Sequence, residues 1–196
     1  DGRAAFGLEP GLPVVLAFGG SQGAQSINRA CVDAFGGQEL GFQLVHVCGP
    51  RNEDQVRREL ERCGERIERY HLVPYTDRLA AAMAAADLVV ARSGGSVAEL
   101  AALGKPAILV PYPYATADHQ RKNAREMVAN GAALLVDDAE LDGELLKRLV
   151  AELLGDRDRL AGMAAASAAL GRPDAARRVA DQIEDILTTT RGRGAR

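Results

Sequence analysis

The sequence of 196 residues has no long apolar run, no excess of one charge and few cysteines. The longest apolar candidate, 79–91, is mostly alanine and contains Asp87, so no segment is predicted to cross a bilayer. The net charge of −3 comes from interspersed acids and bases, which disfavours a nucleic-acid partner. The three cysteines have no metal-ligand spacing and are odd in number, which indicates a reducing compartment and no disulfide framework.

Metal-binding motifs are equally scarce. The single Asp-x-Asp, Asp156 to Asp158, lies between two late helical patterns and far from any predicted strand end. Acids at a helix start, where the helix dipole favours negative charge, explain it better than a metal site. We therefore expect neither a metal nor another cofactor.

Short apolar runs alternate with stretches of helical period through most of the chain. Such alternation predicts right-handed βαβ crossovers. We therefore predict an α/β protein with a Rossmann-like, doubly wound parallel sheet of about six strands and helices on both faces. The predicted strands are 14–18, 42–48, 67–72, 88–91, 107–110 and 133–136, and the predicted helices are 22–35, 53–63, 77–85, 97–103, 118–130, 144–154, 157–170 and 173–187.

The length and composition predict one domain, over residues 11–189. Residues 1–10 are expected to be a linker from an amino-terminal domain that is absent from this sequence. Residues 190–196, rich in glycine and arginine, are expected to be a disordered tail.

Two glycine-rich turns are the most informative motifs. One, Gly19 to Gly23, follows the first predicted strand, and the other, Ser93 to Ser96, follows the fourth. Each precedes a helical pattern, so each places backbone N–H groups and a helix N-terminus at the carboxyl edge of the sheet. Either turn alone is most simply an ordinary tight connection. The pair predicts a nucleotide site.

The first turn is compared with three known loops. The dinucleotide fingerprint is disfavoured, because Phe18 stands at its first glycine and no acid follows the second strand. A P-loop requires a lysine that the turn lacks. The nucleophile elbow of α/β-hydrolases does match Gly19-x-Ser21-x-Gly23. It follows the first strand, however, and the late His119 lacks a suitable acid, so a hydrolase stays a minor alternative.

The second turn has two interpretations. Ser96 and Glu99 match a capping box, in which the serine caps the helix and the glutamate reaches back to the cap. A carboxylate one turn into a helix at a strand end is equally suited to both hydroxyls of a ribose. Further along, Asp118, His119 and Gln120 begin a helix with side chains suited to sugar hydroxyls.

Four segments, in this order, resemble the carboxyl-terminal half of the MurG family of glycosyltransferases: GGSQGA (19–24), RSGGSVAEL (92–100), GKPAILVPYP (104–113) and ADHQRKNA (117–124). The resemblance covers roughly residues 6–187. It implies one half of a GT-B fold, the half that binds the donor UDP-N-acetylglucosamine (UDP-GlcNAc). It also implies inverting transfer of GlcNAc to lipid I, undecaprenyl-pyrophosphoryl-MurNAc-pentapeptide, in peptidoglycan synthesis.

The resemblance also implies roles for single residues. Ser21 matches the family's serine whose hydroxyl contacts the donor phosphate. Thr76 matches the residue whose backbone contacts uracil, and Glu99 matches the residue that binds the ribose hydroxyls. Gln120, with His119 beside it, matches the reader of the sugar hydroxyls. The loop 94–99 is one residue shorter than in many members, and His119 replaces a glutamine of some members. The implied donor-binding residues are Gly20, Ser21, Gln22, Gly23, Thr76, Arg92, Gly94, Gly95, Ser96, Glu99, His119 and Gln120.

No catalytic residue is expected in this chain, because the family's base and acceptor site belong to the absent amino-terminal half. The implied partners are UDP-GlcNAc, that amino-terminal domain and, through it, lipid I. The implied location is the cytoplasmic face of the bacterial plasma membrane, where the absent half provides the peripheral contact. Two alternatives stay open: half of a UDP-GlcNAc 2-epimerase, and the donor-binding subunit of a split glycosyltransferase.

Overall fold

The structure, a computed structural model, describes the backbone of residues 2–20, 22–64 and 68–193, and side chains as far as residue 186. These residues form a six-stranded sheet in the order β3-β2-β1-β4-β5-β6, and every neighbouring pair is parallel. The predicted doubly wound α/β fold is confirmed. The strands are β1 Val14–Phe18, β2 Gln43–Val47, β3 Tyr70–Val73, β4 Leu88–Ala91, β5 Ala107–Leu109 and β6 Ala133–Leu135.

Nine α-helices lie within the described residues, together with a short 3-10 turn at Thr116–Asp118. They connect the strands and then form a helical carboxyl-terminal region. The helices are α1 Gly2–Ala5, α2 Gln25–Phe35, α3 Glu53–Cys63, α4 Leu79–Ala85, α5 Ser96–Ala102, α6 His119–Ala129, α7 Gly143–Gly155, α8 Arg157–Leu170 and α9 Ala175–Arg193.

Alternation along the buried strands divides the core into two layers. In β1, Val15 belongs to a cluster with Ile27 of α2 and Leu146 of α7. Its neighbour Leu16 belongs to the opposite cluster, with Met83 of α4 and further residues of α5 and α6. Because both faces of the sheet are covered, nearly every strand residue is apolar, as expected for a parallel sheet.

The strand order reverses at β1 and β4, which are neighbours at the centre of the sheet. The chain winds outward through β2 and β3 and then returns to pair β4 on the other side of β1. This reversal is a topological switch point, where the carboxyl ends of the strands leave a crevice for a ligand. Both glycine-rich turns follow these two strands.

Residues 2–10 lie against the rest of the domain. Helix α1 contacts α4, and a Cβ added at Gly2 would lie 2.2 Å from the carbonyl oxygen of Ala81. Arg3 forms an ion pair with Asp87 at 3.3 Å, and the side chain of Leu8 is buried. Residues 2–10, interpreted as a linker, are thus attached to the sheet by specific contacts.

Helices α7 and α8 each begin with an aspartate side chain as the N-cap. The carboxylate of Asp156 accepts the backbone N–H of Arg159 at 2.9 Å, which confirms the Asp-x-Asp motif as the acidic start of a helix. Helix α9 continues to Arg193, so residues 190–193 of the expected tail are helical, whereas 194–196 lie outside the described residues. Among the described helices, none has the length and hydropathy needed to span a membrane.

Candidate functional site

A cavity of about 860 Å³ opens at the carboxyl edge of the sheet, beside the switch point. It is lined by the first glycine turn and the start of α2, by Arg92 after β4, and by Asp138 after β6. Tyr112, from the connection between β5 and α6, and Gln120, from the first turn of α6, form a further wall. The cavity therefore joins the first predicted phosphate turn to the segment predicted to bind sugar.

The first glycine turn is held against the end of β2. A Cβ added at Gly23, where φ is +75°, would lie 2.0 Å from the carbonyl oxygen of Cys48. The Asn52 side chain donates to the carbonyl oxygens of Gln22 at 3.0 Å and Cys48 at 2.9 Å. These contacts require glycine at this position and fix the path of the turn. Ser21, the predicted phosphate contact, lies outside the described residues.

The N-terminus of α2 has no side-chain cap. Its N-cap residue is Ala24, which has no side-chain hydrogen-bond acceptor. The first N–H groups of a helix need partners, and here the neighbouring Ala24, Gln25 and Ser26 line the cavity. An anion at this end would be stabilised by those N–H groups and by the helix dipole.

A series of buried hydrogen bonds supports the backbone that contacts the first glycine turn. Tyr70 donates its hydroxyl hydrogen to His46 Nδ1 at 2.7 Å, and His46 Nε2 donates to Asn28 Oδ1 at 2.9 Å. The amide group of Asn28 then donates to the carbonyl oxygen of Cys48 at 2.9 Å. This order of donors follows because the Asn28 oxygen can only accept. It makes His46 the neutral Nε2–H tautomer.

Burial accounts for the neutral state of the His46 ring. His46 is fully buried, and desolvation of its charged form lowers its pKa from 6.5 to about 3. Sequence reasoning missed this chain of hydrogen bonds. The available signal was a histidine inside an otherwise apolar strand, which requires buried partners.

The second glycine turn differs from the prediction. Helix α5 begins at Ser96, so the N-cap position belongs to Gly95 and carries no side-chain cap. Ser96 Oγ donates instead to the carbonyl oxygen of Arg92, at 3.4 Å. The predicted capping box is therefore wrong, because the helix starts one residue too early for Ser96 to act as its cap.

Glu99 is consequently released from a capping role. It lies in the first turn of α5, its side chain is exposed, and it has no hydrogen-bond or ion-pair partner among the described residues. An unpartnered carboxylate at a helix start beside the switch point is available to a ligand. It can accept two hydrogen bonds at once, as the neighbouring hydroxyls of a ribose require.

Arg92 has internal partners on several sides. Its guanidinium donates to the carbonyl oxygens of Val110 and Pro111, each at 3.2 Å, and to Asp138 Oδ1 at 2.5 Å. It also donates to Ser26 Oγ at 3.0 Å. Arg92 therefore borders the cavity but is engaged mainly in holding neighbouring loops together.

Gln120 has a fixed amide orientation. Its Oε1 accepts the backbone N–H of Tyr112 at 2.9 Å, and its backbone carbonyl accepts the hydroxyl of Ser93 at 2.8 Å. Its Nε2 would lie 3.8 Å from a Cβ added at Gly94. The amide NH₂ thus faces the second glycine turn as a donor.

His119 and Thr76 lie outside the lining of this cavity. The Nδ1 of His119 is 2.7 Å from the carbonyl oxygen of Thr116, which can only accept, so Nδ1 carries the hydrogen. Thr76 Oγ1 accepts the backbone N–H of Arg78 at 3.0 Å, which shapes the connection between β3 and α4.

Seven of the predicted site residues line two neighbouring cavities. Gly20, Gln22, Gly23, Arg92 and Gln120 line the large cavity. Gly94 and Gly95 line a second cavity of about 390 Å³ between α5 and α6. Ser96, Glu99, His119 and Thr76 line neither. The close approach of Gln120 to Gly94 joins the two groups.

The connection between β5 and α6 carries backbone strain. Ala117 and Asp118 have φ values of +52° and +54°, in the left-handed region that non-glycine residues rarely adopt. Tyr114, just before them, is 82% exposed, and its ring meets that of Tyr112 edge to face at 5.7 Å. Strain and exposed aromatic rings beside a cavity are characteristic of binding segments.

The hydrolase alternative finds little support in the contacts of His46 and His119. His46 is bound to Asn28 and Tyr70 in the core, and His119 to a backbone carbonyl. Neither hydrogen-bonds a carboxylate within the described residues. A serine nucleophile of the triad type needs a base oriented in that way.

Comparison with known proteins agrees with the geometry. Residues 14–179 match the family model of the glycosyltransferase family 28 C-terminal domain. The chain is 46% identical over 193 residues to a protein of Mycolicibacterium smegmatis, a UDP-N-acetylglucosamine--N-acetylmuramyl-(pentapeptide) pyrophosphoryl-undecaprenol N-acetylglucosamine transferase. The alignment covers 96% of this chain and 48% of that protein.

Two solved structures extend the comparison. Acinetobacter baumannii MurG is 28% identical, with a TM-score of 0.77 over 90% of this chain and 54% of that one. UDP-GlcNAc 2-epimerase from Neisseria meningitidis, bound to UDP-GlcNAc, has a TM-score of 0.67 at 16% identity, over 94% of this chain and 47% of that one. The latter likeness concerns the fold alone.

The chain spans about half the length of the curated relatives it matches. The matching half is the one that the family model describes, and it includes all six strands and both glycine turns. The chain therefore belongs to glycosyltransferase family 28, as a carboxyl-terminal domain of the MurG type.

Proposed function

We propose that this chain is the UDP-GlcNAc-binding domain of an inverting N-acetylglucosaminyltransferase that converts lipid I to lipid II. Two adjacent strands, β1 and β4, are each followed by a helix that begins without a side-chain cap, and this observation carries the proposal. Beside the second of these helix starts, the Glu99 carboxylate has no side-chain partner among the described residues. The names of the relatives, which are GlcNAc transferases, support the identity of the donor sugar.

The diphosphate of the donor would bind at the glycine turns. The N–H groups at the start of α2 have no cap, and an anion stabilises such groups by hydrogen bonding and through the helix dipole. The Ser21 hydroxyl is proposed as a further phosphate contact. Gly94, Gly95 and Ser96 would contribute from the start of α5, and Glu99 would accept the ribose hydroxyls.

The base and the sugar would occupy opposite sides of this diphosphate. The backbone of Thr76 is proposed to meet uracil, next to the exposed ring of Tyr75. The amide NH₂ of Gln120, whose orientation is set by the Tyr112 N–H, would donate to a sugar hydroxyl. The Nε2 of His119 would face another sugar hydroxyl, since its Nδ1 is engaged by the carbonyl oxygen of Thr116.

The domain's contribution to catalysis would be stabilisation of the leaving UDP. As the bond to GlcNAc breaks, negative charge grows on the diphosphate, and fixed N–H dipoles stabilise it without reorganisation. Deprotonation of the acceptor hydroxyl would come from a base in an amino-terminal domain. That domain would also bind lipid I and attach the enzyme to the inner face of the plasma membrane.

Helix α9 has an apolar face that is suited to a partner domain. Val179, Ile183 and Ile186 lie on one face of the helix and are each more than half exposed. Their spacing forms an apolar stripe, which is stabilised when another surface covers it. An amino-terminal domain of the same enzyme is the proposed cover.

Calorimetric titration of the purified chain with UDP-GlcNAc, UDP, UDP-glucose and NADH tests the proposal. We expect binding of the uridine nucleotides, tightest for UDP-GlcNAc, and no heat with NADH. A chain that binds NADH, or that binds no uridine nucleotide, would contradict it. Equal affinity for UDP and UDP-GlcNAc would support nucleotide binding and would contradict the proposed sugar contacts.

A further inference from the structure

A cluster of three polar side chains ties together loops that lie far apart in the sequence. Asp138 Oδ1 accepts from Ser26 Oγ and from Arg92, each at 2.5 Å. Ser26 lies in the first turn of α2, Arg92 follows β4, and Asp138 follows β6. One carboxylate oxygen therefore links three walls of the large cavity.

The charge of Asp138 is what the cluster depends on. The Arg92 side chain is only 10% exposed, and its other partners are the neutral Ser26 hydroxyl and two backbone carbonyls. A guanidinium so withdrawn from water needs a carboxylate to offset its desolvation. Asp138 is the carboxylate that contacts it among the described residues.

The cluster reaches the candidate sugar contact through the backbone. Arg92 holds the carbonyl oxygen of Pro111, and its guanidinium lies 5.5 Å from the centre of the Tyr112 ring. The N–H of Tyr112, the next residue, fixes Oε1 of Gln120. Arg92 thus positions the Tyr112 N–H, which orients the Gln120 amide.

We propose that Asp138 is a positioning residue for the sugar end of the donor, acting through Arg92 and Tyr112 on Gln120. This inference rests on the proposed function, and it adds a residue that acts on the sugar contact through other side chains. Loss of the Asp138 charge releases Arg92 from the β5–α6 connection. The Gln120 amide then loses its fixed direction, so binding of the sugar weakens more than binding of UDP.

Hydrogen exchange in the ligand-free chain tests the positioning. The variants are Asp138→Ala, Asp138→Asn and Ser26→Ala, and Glu152→Ala is the matched control because it breaks an exposed ion pair with Arg159. We expect several-fold faster exchange across residues 110–120 in Asp138→Ala, a smaller change in the other two cluster variants and none in the control. Unchanged exchange in the cluster variants would overturn the proposal. Asp138→Asn keeps the shape and an acceptor oxygen, so it decides the question if Asp138→Ala does not fold.

Titration of the same variants tests the link to the donor. Asp138→Ala should reduce the ratio of UDP-GlcNAc to UDP affinity and should have no further effect on this ratio in a Gln120→Ala background. Equal losses for both ligands would indicate a general structural role and overturn the proposal. A wild-type chain that binds no uridine nucleotide would overturn the proposed function and the donor role of Asp138 together. Wild-type binding with unchanged exchange in the variants would overturn the positioning alone.

Discussion

Gly23 lies so close to Cys48 that a Cβ added to it would be 2.0 Å from the Cys48 carbonyl oxygen. This approach places the turn after β1 directly against the turn after β2. Gly49, in the second of these turns, makes the reciprocal approach, with an added Cβ 2.6 Å from the carbonyl oxygen of Gln22. The shape of the candidate phosphate turn therefore depends on a neighbouring strand end as well as on its own sequence.

Gly23→Ala is expected to destabilise the fold more than Gly131→Ala. Both glycines have φ of +75°, but nothing lies within 4 Å of a Cβ added at Gly131. The left-handed backbone alone costs an L-residue roughly 1–2 kcal/mol, which is the loss expected for Gly131→Ala. Gly23→Ala adds a clash with backbone and should cost about 3 kcal/mol or more. Urea unfolding of both variants measures the difference, and equal losses would contradict the packing described.

Glu99→Gln should weaken UDP binding and leave stability unchanged. Hydrogen bonds to a charged group contribute about 1.5–3 kcal/mol, so an affinity loss of that size is expected. Because Glu99 is exposed and unpartnered among the described residues, the thermal unfolding midpoint of Glu99→Gln should equal that of the wild type. Glu144→Gln is the control, since Glu144 occupies the first turn of α7 in the same way.

Ser96→Ala separates the two interpretations of the second turn. The Ser96 hydroxyl makes only a long bond to the Arg92 carbonyl and does not cap α5. Its removal should change the free energy of unfolding by no more than about 0.5 kcal/mol. A loss of about 1 kcal/mol, typical of a removed N-cap, would restore the capping box.

Acid should destabilise the protein through His46. Burial lowers its pKa from 6.5 to about 3, so between these values the unfolded chain binds a proton that the folded chain does not. The free energy of unfolding from this group is constant above pH 6.5 and falls by up to about 1.4 kcal/mol per pH unit below it. Urea unfolding at several pH values should show a steeper fall for the wild type than for His46→Gln. Parallel profiles would contradict the buried neutral state.

The chain alone is expected to transfer no GlcNAc. A general base typically contributes about 10²–10⁴ in rate, and positioning of the acceptor contributes more. Adding the amino-terminal half of a relative, in trans or by fusion, should restore transfer of radiolabelled GlcNAc to a lipid I analogue. Transfer by the lone chain at the rate of a full-length enzyme would place the catalytic group within these residues.

Ser21 is expected not to react as a nucleophile. The two histidines whose hydrogen bonds are described above have partners other than a carboxylate. Incubation with a fluorophosphonate probe should therefore label neither the wild-type chain nor the Ser21→Ala variant. Stoichiometric labelling that Ser21→Ala abolishes would favour the hydrolase.

The sequence predicted the sheet well because its signals are local. The bounds of β1 and β4 agree with the prediction, since each is a short apolar run followed by a glycine-rich turn. The start of β3 was placed too early: the strand begins at Tyr70, and residues 65–67 lie outside the described part of the chain. Local patterns locate elements more reliably than they locate boundaries.

Parts of the candidate site depend on contacts that no local pattern encodes. Arg92 and Asp138 are separated by 46 positions, and only the pairing of β4, β5 and β6 brings them together. The capping interpretation of Ser96 was wrong because α5 starts one residue earlier than predicted, and motif spacing does not determine such a shift. The individual donor contacts stay predictions.

The central position of β1 has a consequence for the order of folding. Pairing of β1 with β2 closes a much shorter loop than pairing of β1 with β4, and a shorter loop costs less entropy. We therefore expect the amino-terminal βαβ unit to assemble early and the two glycine turns to become neighbours late. A ligand that spans both turns would then stabilise an arrangement that forms late, so we expect it mainly to slow unfolding.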